Sequence, residues 1–514
     1  MPEKPGTLSA STNLPPWNSN PDLIKLIPAS LAHKYLIFPL SLRGTTLLIA
    51  MADPSNIFAL DDLKFLTGYR IEACPAQETV IRQLLSEHYH ISDRLEDVVS
   101  HLEDGVVGPA EEEQQIELGS LKASCEEAPV ITLVNEMLSD AIKKGASDIH
   151  VEPYEKVLRI RFRIDGVLYD ALTPPLKYKN AITSRIKIMS KLDIAERRLP
   201  QDGRVKVKME TGHEVDFRVS VLPTLYGEKI VLRLLDKSTL RLDITRLGFE
   251  AGDLAHFKQG VKFPFGMVLV TGPTGSGKTT TLYSALNALN DTTKNVSTVE
   301  DPVEYNLMGI NQVQIHEEIG LTFANVLRAL LRQDPDIILV GEIRDYETAE
   351  MAVKAALTGH LVLSTLHTND APSAIQRLVQ MGIEPYLIAS SIILIVAQRL
   401  VRKICPHCKA PTNLPAHLSL DLGIHPQDCH SLSFFEGKGC TMCSQSGFKG
   451  RLAIYEVMKL NEHIKQCILQ ELSSADLKKE AVKSGMSTLR TSAITKMKQG
   501  LTTAEEVIRI TCEN

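Results

Sequence analysis

Residues Gly272-Pro273-Thr274-Gly275-Ser276-Gly277-Lys278-Thr279 have the types and spacing to hold a polyphosphate. They match G-x-x-x-x-G-K-[ST] at every specified position. The glycines allow backbone N–H groups to curl around a β-phosphate. Lys278 can reach the β- and γ-phosphates, and the Thr279 hydroxyl can ligate Mg²⁺. The flanking residues fit the pattern. The apolar run Met267-Val268-Leu269-Val270 predicts a buried strand, and Thr280 to Asn290 predicts a helix. The N-terminus of that helix, with Thr280 in its first turn, adds partial positive charge to the loop. An ordinary glycine-rich turn does not explain this combination.

Other polar groups follow apolar runs in the same region. Gln333 to Glu342 reads as a strand ending in a carboxylate. In a P-loop ATPase such a strand is expected beside the loop strand, with its carboxylate on Mg²⁺ or the attacking water. Val299-Glu300-Asp301-Pro302-Val303-Glu304 places three carboxylates after the stretch Val296 to Val299. It reads either as a strand end aimed at the site or as a solvated turn set by Pro302. Gly359 to Asp370 carries two histidines, His360 and His367, with Thr368, Asn369 and Asp370 behind the second. A single histidine at a strand end is more often structural; the pair makes a phosphate sensor the expectation.

Four of the nine cysteines form two C-x-x-C pairs, Cys405/Cys408 and Cys440/Cys443, with 31 residues between them. Four thiolates with tetrahedral reach make a closed structural zinc site, which keeps no position open for water. Arg402, Lys403 and Lys409 favour the thiolate form. A redox dithiol and unrelated reduced cysteines are the alternatives, and His407, Cys429 and His430 are possible substitute ligands.

These residues need elements to position them, and the chain is long enough for two to four domains. With 44% hydrophobic and 23% charged residues, the composition is that of a soluble globular protein. The net charge of -6 argues against a general nucleic-acid binder and a polybasic membrane-surface protein. The N-terminus has no apolar core segment, so no secretory signal is expected. The longest apolar run, Ile392 to Ala397, is far too short to span a bilayer and is expected to be a buried helix. A cytoplasmic location follows, with any membrane link made through partners.

Residues 1–20 are expected to be disordered, and 21–90 to form a small α/β domain. The acidic segment 91–127 reads as a linker. Residues 128–239 read as a second α/β unit, with helical periodicity from Val130 to Ile142 and strand-like segments after it. Residues 240–514 carry the nucleotide motifs.

The loop, EDPVE, RQDPDIILVGEIRD and TGHLVLSTLHTND occur in this order. They resemble the Walker A, Asp box, Walker B and His box of the secretion ATPase superfamily. Ala146 to Pro153, Arg161 to Gly166 and Pro200 to Arg204 resemble N-terminal signatures of its GspE/PilB branch. The resemblance is strong over 128–514 and looser over 21–90. It implies a RecA-like P-loop ATPase domain preceded by a PAS-like α/β domain, a small N-terminal α/β domain and a four-cysteine zinc-binding subdomain at 403–446. It also implies ATP, Mg²⁺ and Zn²⁺ as cofactors. Glu342 is implied as the catalytic glutamate, with Glu300 and Glu304 shaping water and Mg²⁺. Which of the three is the general base stays open. His367 falls in the His box. Arg218 and Arg233 match the N-terminal-domain arginines that reach the γ-phosphate, a role suited to bidentate guanidinium groups.

The resemblance further implies a homo-hexamer that works with an inner-membrane platform protein and a membrane-anchored partner with a cytoplasmic domain. The implied activity is ATP hydrolysis driving pseudopilus assembly in type II secretion. Type IV pilus assembly is the near alternative, and a DNA-uptake machine the third. The metal-binding subdomain disfavours retraction ATPases, which lack it. Segment 21–90 resembles only the second half of a two-half, dinucleotide-binding domain of many relatives, so docking of a partner is its expected role. A zinc-containing nucleic-acid-binding protein with ATP as a switch is the alternative of a different class. The acidic balance and the lack of a basic aromatic face count against it.

Overall fold

The computed structural model describes residues 21–24, 26–27, 31–32, 35–54, 56–88, 129–209, 214–235, 242–423 and 433–511. The segments expected to be disordered (1–20) and to act as a linker (91–127) lie outside the described residues. The chain divides into two compact units, Met1–Asp236 and Lys237–Asn514.

The first unit holds two sheets, each with its own core. The smaller consists of β1 (Ile37–Arg43), β2 (Thr46–Met51) and β3 (Arg70–Pro75). β1 and β2 form an antiparallel hairpin, and β3 joins β2 in parallel after the helix Ile57–Thr67. Asn56 starts that helix by accepting from the Ala59 amide. Gly68, at φ 68°, ends it in the left-handed conformation that glycine adopts most easily.

The larger sheet contains β4 (Asp148–Pro153), β5 (Leu158–Ile164), β6 (Val167–Leu172), β7 (Gln201–Lys208), β8 (Glu214–Thr224) and β9 (Gly227–Leu235). Their order is β6-β5-β4-β9-β8-β7, and every pairing is antiparallel. One face is apolar and packs under the helices Pro129–Lys143 and Lys179–Met189. β8 shows the alternation behind this. Val215, Phe217, Val219 and Val221 are buried, while Asp216, Arg218 and Ser220 take the other face.

The second unit is built on a seven-stranded sheet. Its members are β10 (Gly266–Thr271), β11 (Val296–Glu300), β12 (Asn311–Gln314), β13 (Ile337–Val340), β14 (Leu361–Leu366), β15 (Ile392–Ile404) and β18 (Phe448–Lys459). The order is β12-β11-β13-β14-β10-β15-β18, parallel except for the last pairing. Alternate residues of β10 enter different cores. Met267 and Leu269 join one, and Val268 and Val270 the other. The sheet is therefore covered on both faces, which accounts for strands that read as unbroken apolar runs. β16 (Lys409–Thr412) and β17 (Phe434–Gly437) form a separate two-stranded antiparallel sheet.

Two expectations about this unit are corrected. Ile392 to Ala397 is not a helix; it opens β15, and the preceding helix, Pro385–Ser391, ends just before it. A six-residue apolar run carries no period that separates helix from strand. Its β-branched residues, Ile392, Ile393, Ile395 and Val396, suit the buried strand it forms. The strand carrying Glu342 is also not beside the loop strand. β14 lies between them, pairing with β10 on one side and β13 on the other through the same residues.

Candidate functional site

The C-terminal ends of β10, β11, β13 and β14, with the middle of β15 level with the end of β10, bring the candidate residues to one edge of the sheet. After β10 the chain forms the loop Gly272 to Gly277, and the helix Lys278–Leu289 begins. Gly272 has φ 150°, and a Cβ there would sit 2.4 Å from the Gln398 carbonyl oxygen. Gly277 is left-handed at φ 88° and precedes a helix with no side-chain cap. The helix's first-turn N–H groups thus lack both i−4 carbonyls and a cap, and suit an anion. Pro273, Thr274 and Gly275 are exposed, as are Thr279 and Thr280, while Ser276 is buried. The Ser276 hydroxyl is buried without a hydrogen-bond partner among the described residues. These features fit a nucleotide phosphate.

Lys278 Nζ donates to the carbonyl oxygens of Gly272 (2.8 Å) and Pro273 (3.2 Å). Burial pulls its pKa down to about 8; Glu342 opposes the shift and Arg399 adds to it. Gln398 on β15 locks the loop from below. Its Nε2 donates to the Ser276 carbonyl (2.8 Å), and its Oε1 accepts from the Thr281 hydroxyl (2.7 Å). Thr271, the last residue of β10, ties this edge to the segment after β14: its hydroxyl is 2.7 Å from that of Thr368 and accepts from the Thr368 amide (2.9 Å). Neither Gln398 nor Thr271 was picked out by sequence. A polar residue directly after an apolar run was the available signal for both.

Glu342 lies two residues beyond β13, and its side chain is 14% exposed. Its Oε2 meets His367 Nε2 at 3.0 Å, and Oε1 pairs with Arg344. The Thr365 hydroxyl donates to the Gly341 carbonyl (2.7 Å), fixing the strand end that carries Glu342. His360 does not join this group. It precedes β14, while His367 follows it, and its Nδ1 lies 3.0 Å from the Ala355 carbonyl at a helix end. Six residues of strand, roughly 20 Å, separate the two histidines. The expected paired sensor is therefore reduced to His367.

Glu300 ends β11 and is buried. Its carboxylate accepts from the Tyr283 hydroxyl, from Thr298 Oγ1 (2.6 Å) and from Gln312 Nε2 (3.2 Å). Burial and the Glu300 charge push the Tyr283 pKa up, so its phenol stays a donor. Glu304 is half-buried in the segment that follows. The next residue, Tyr305, meets the Tyr283 ring edge-on at 6.3 Å.

In the first unit, Arg218 and Arg233 are directly paired neighbours on β8 and β9. The register extends this into a row across five strands: Arg204, Arg218, Arg233, Asp148, Arg163. Asp148 is its one carboxylate. It accepts from Arg233 Nε (2.9 Å) and the Ser147 hydroxyl (2.8 Å), and Arg163 Nε lies at 3.5 Å. Like charges directly opposite one another weaken a sheet, so this row suits an anionic partner.

The four cysteines do converge. The Sγ atoms of Cys405, Cys408, Cys440 and Cys443 all lie within 4.8 Å of one another. The 405–440, 408–443 and 440–443 separations are 3.8, 3.9 and 3.6 Å. Tetrahedral Zn–S bonds of ~2.3 Å require sulfurs ~3.8 Å apart, so the cluster is compatible with zinc. Burial disfavours the Cys443 thiolate, but donation from the Cys440 and Gly447 amides holds its pKa down to about 7. His407 is exposed and not among the four; Cys429 and His430 lie outside the described residues.

Residues 123–509 match the model of the family described as type II/IV secretion system protein, and residues 9–95 match the MshEN domain. A type IV pilus assembly ATPase PilB of Myxococcus xanthus is 56% identical, covering 96% of this chain and 88% of that one. A type II secretion system ATPase E of Vibrio cholerae is 41% identical, covering 96% and 97%. The solved ATPase DotB of Legionella pneumophila shares the fold, with a TM-score of 0.56 and 22% identity over 78% of this chain and all of that one. Among the described residues no helix is long and apolar enough to cross a membrane. With its phosphate loop in place and near-full-length relatives of both kinds named as ATPases, the chain belongs to the type II/IV secretion system protein family, as an ATPase.

Proposed function

We propose that this ATPase is a motor that drives assembly of a pseudopilus in type II secretion or of a type IV pilus. One observation carries the reading: the phosphate loop with Lys278 and the Glu342–His367 pair meet at one edge of one sheet, from three neighbouring strands. Residues Gly272 to Thr280 bind the nucleotide, and Lys278 moves from its own loop carbonyls to the phosphates. Thr279 is the Mg²⁺ ligand. Mg²⁺, when bound, neutralises charge on the phosphate oxygens.

Glu342 orients the attacking water and accepts its proton. His367 and Arg344 hold the two carboxylate oxygens in place for this. Glu300 acts differently, because three donors occupy it inside the core. It braces the loop helix through Tyr283, and Glu304 shapes the segment beside it. Arg218 and Arg233 contribute positive charge to the transferring phosphoryl group. Cys405, Cys408, Cys440 and Cys443 hold one structural zinc. Segment 21–90 docks a membrane-anchored partner, and residues 128–239, 240–514 and 403–446 act as the PAS-like domain, the ATPase domain and its metal-binding subdomain. The chain works as a cytoplasmic hexamer against an inner-membrane platform protein.

Both machines remain within this reading because relatives named for each cover nearly the whole chain. The test is replacement of the chromosomal copy by Lys278→Ala. Loss of ATP hydrolysis together with loss of surface pili, or of exoprotein export, identifies the machine. An intact ATPase rate in the folded variant refutes the site.

A further inference from the structure

Among the described residues two cations stand by the phosphate loop, and only Lys278 belongs to its pattern. The other is Arg399, the residue after Gln398 on β15. Gln398 faces the loop helix, so strand alternation sends Arg399 to the opposite face of the sheet. There its Nη2 donates to the Asn369 carbonyl oxygen (3.1 Å) and to Asn369 Oδ1 (2.9 Å). Asn369 lies two residues beyond His367, so Arg399 joins the His367 segment to the strand supporting the loop. Its Nη1 is buried with no hydrogen-bond partner among the described residues. A desolvated guanidinium N–H without an acceptor is costly, so an acceptor is to be expected.

The nearby carboxylates are committed elsewhere. Asp370 accepts from the Ser373 amide and pairs with Lys478 (3.1 Å). Glu456 accepts from the Ala371 (2.9 Å) and Leu489 (3.3 Å) amides. Glu342 is held by Arg344 and His367. Arg399 directly follows the Gln398 carbonyl that a Cβ on Gly272 would meet, so its backbone abuts the loop. The loop thus lies beside more positive charge than its own lysine brings.

We infer that Arg399 is a second phosphate-binding cation of the nucleotide site, presenting Nη1 to a β- or γ-phosphate oxygen while Nη2 holds Asn369. This rests on the reading of Gly272 to Thr280 as the nucleotide site. A guanidinium suits the task because its fork serves both partners at once, which an ammonium cannot do.

The experiment measures binding of a fluorescent ADP with Mg²⁺ to the full-length protein, together with the rise in melting temperature caused by inorganic pyrophosphate. Arg399→Gln removes the charge and should weaken ADP binding by at least ~10-fold, in line with a lost charge-assisted hydrogen bond, and shrink the pyrophosphate shift. Asn369→Ala keeps the cation and should bind ADP within ~3-fold of wild type. If Arg399→Gln folds poorly, Arg399→Lys replaces it and should still bind measurably more weakly, since it lacks the fork. Wild-type affinity in Arg399→Gln or its replacement, with binding lost in Lys278→Ala, overturns the inference alone. So does an Asn369→Ala defect as large as that of Arg399→Gln, which would make Arg399 only a bracket for the segment. Unchanged ADP binding in Lys278→Ala would reject the site itself, and the inference with it.

Discussion

At the residue scale, the structure separates carboxylates that a sequence cannot. Glu300 and Glu342 each follow an apolar strand, and both are reasonable candidates for the base. In the fold, Glu300 is buried under three donors, whereas Glu342 is held by two cation-capable groups at the strand's exposed end. Glu342→Gln should therefore bind ATP but turn over at least ~100-fold more slowly, the usual cost of losing a general base. Glu300→Gln should show up first as a lower melting temperature. A dead Glu300→Gln beside an active Glu342→Gln, in single-turnover assays, would reverse the assignment. Lys278 supplies a pH signature. Its pKa lies near 8, below the ordinary lysine value, chiefly through burial. The free loop therefore sheds this charge as pH rises through about 8, while phosphate oxygens next to the ammonium favour the charged form. Nucleotide affinity should fall as pH rises from about 7 to about 9, with proton uptake on binding at the upper end. Calorimetry in buffers of different ionisation enthalpy reads this directly; a flat affinity with no proton uptake would contradict it.

At the element scale, the phosphate-loop strand and helix were legible because a glycine-rich pattern fixes both neighbours. β15 was not. Its apolar opening has no diagnostic period, and its two-sided burial depends on partners far away in sequence, such as the 2.8 Å contact from Gln398 to Ser276 (separation 122). The insertion of β14 between β10 and β13 was equally hidden, because strand order is a non-local property. The knuckles were legible from spacing alone, and their placement follows from β15: Cys405 comes directly after its last residue. Gly437 and Gly447 allow the two halves to meet, since a Cβ on Gly437 would lie 2.0 Å from the Gly447 carbonyl oxygen. Elemental analysis of untagged protein should find about one zinc per chain. Cys443→Ser should lower that content and destabilise the second unit. Metal-free protein that melts like the purified form would leave the redox pair or unrelated thiols as the explanation.

At the scale of the whole molecule, the proposed mechanism draws on residues from both compact units. The motif order pointed to Arg218 and Arg233; the register adds that they sit in a row with Arg204, and that Asp148 holds Arg233 at 2.9 Å. No single stretch of sequence carries that row, because its members come from five strands. The row gathers arginines from adjacent strands on one face, a guanidinium arrangement suited to the phosphoryl oxygens of the proposed mechanism. A cation that meets charge developing on a transferring phosphoryl group acts on the transition state more than on the bound ground state. Arg218→Ala and Arg233→Ala should thus each lower kcat strongly, by roughly 10³-fold if they match other phosphoryl-transfer arginines, with a much smaller change in nucleotide affinity. Arg233→Lys should recover only part of the rate, because an ammonium cannot reproduce the guanidinium fork. If the two arginines only decorate an exposed sheet face, the substitutions change stability by less than ~0.5 kcal/mol and leave turnover intact. Normal kcat in both folded variants would therefore remove the first unit from the chemistry and leave hydrolysis to the second unit alone.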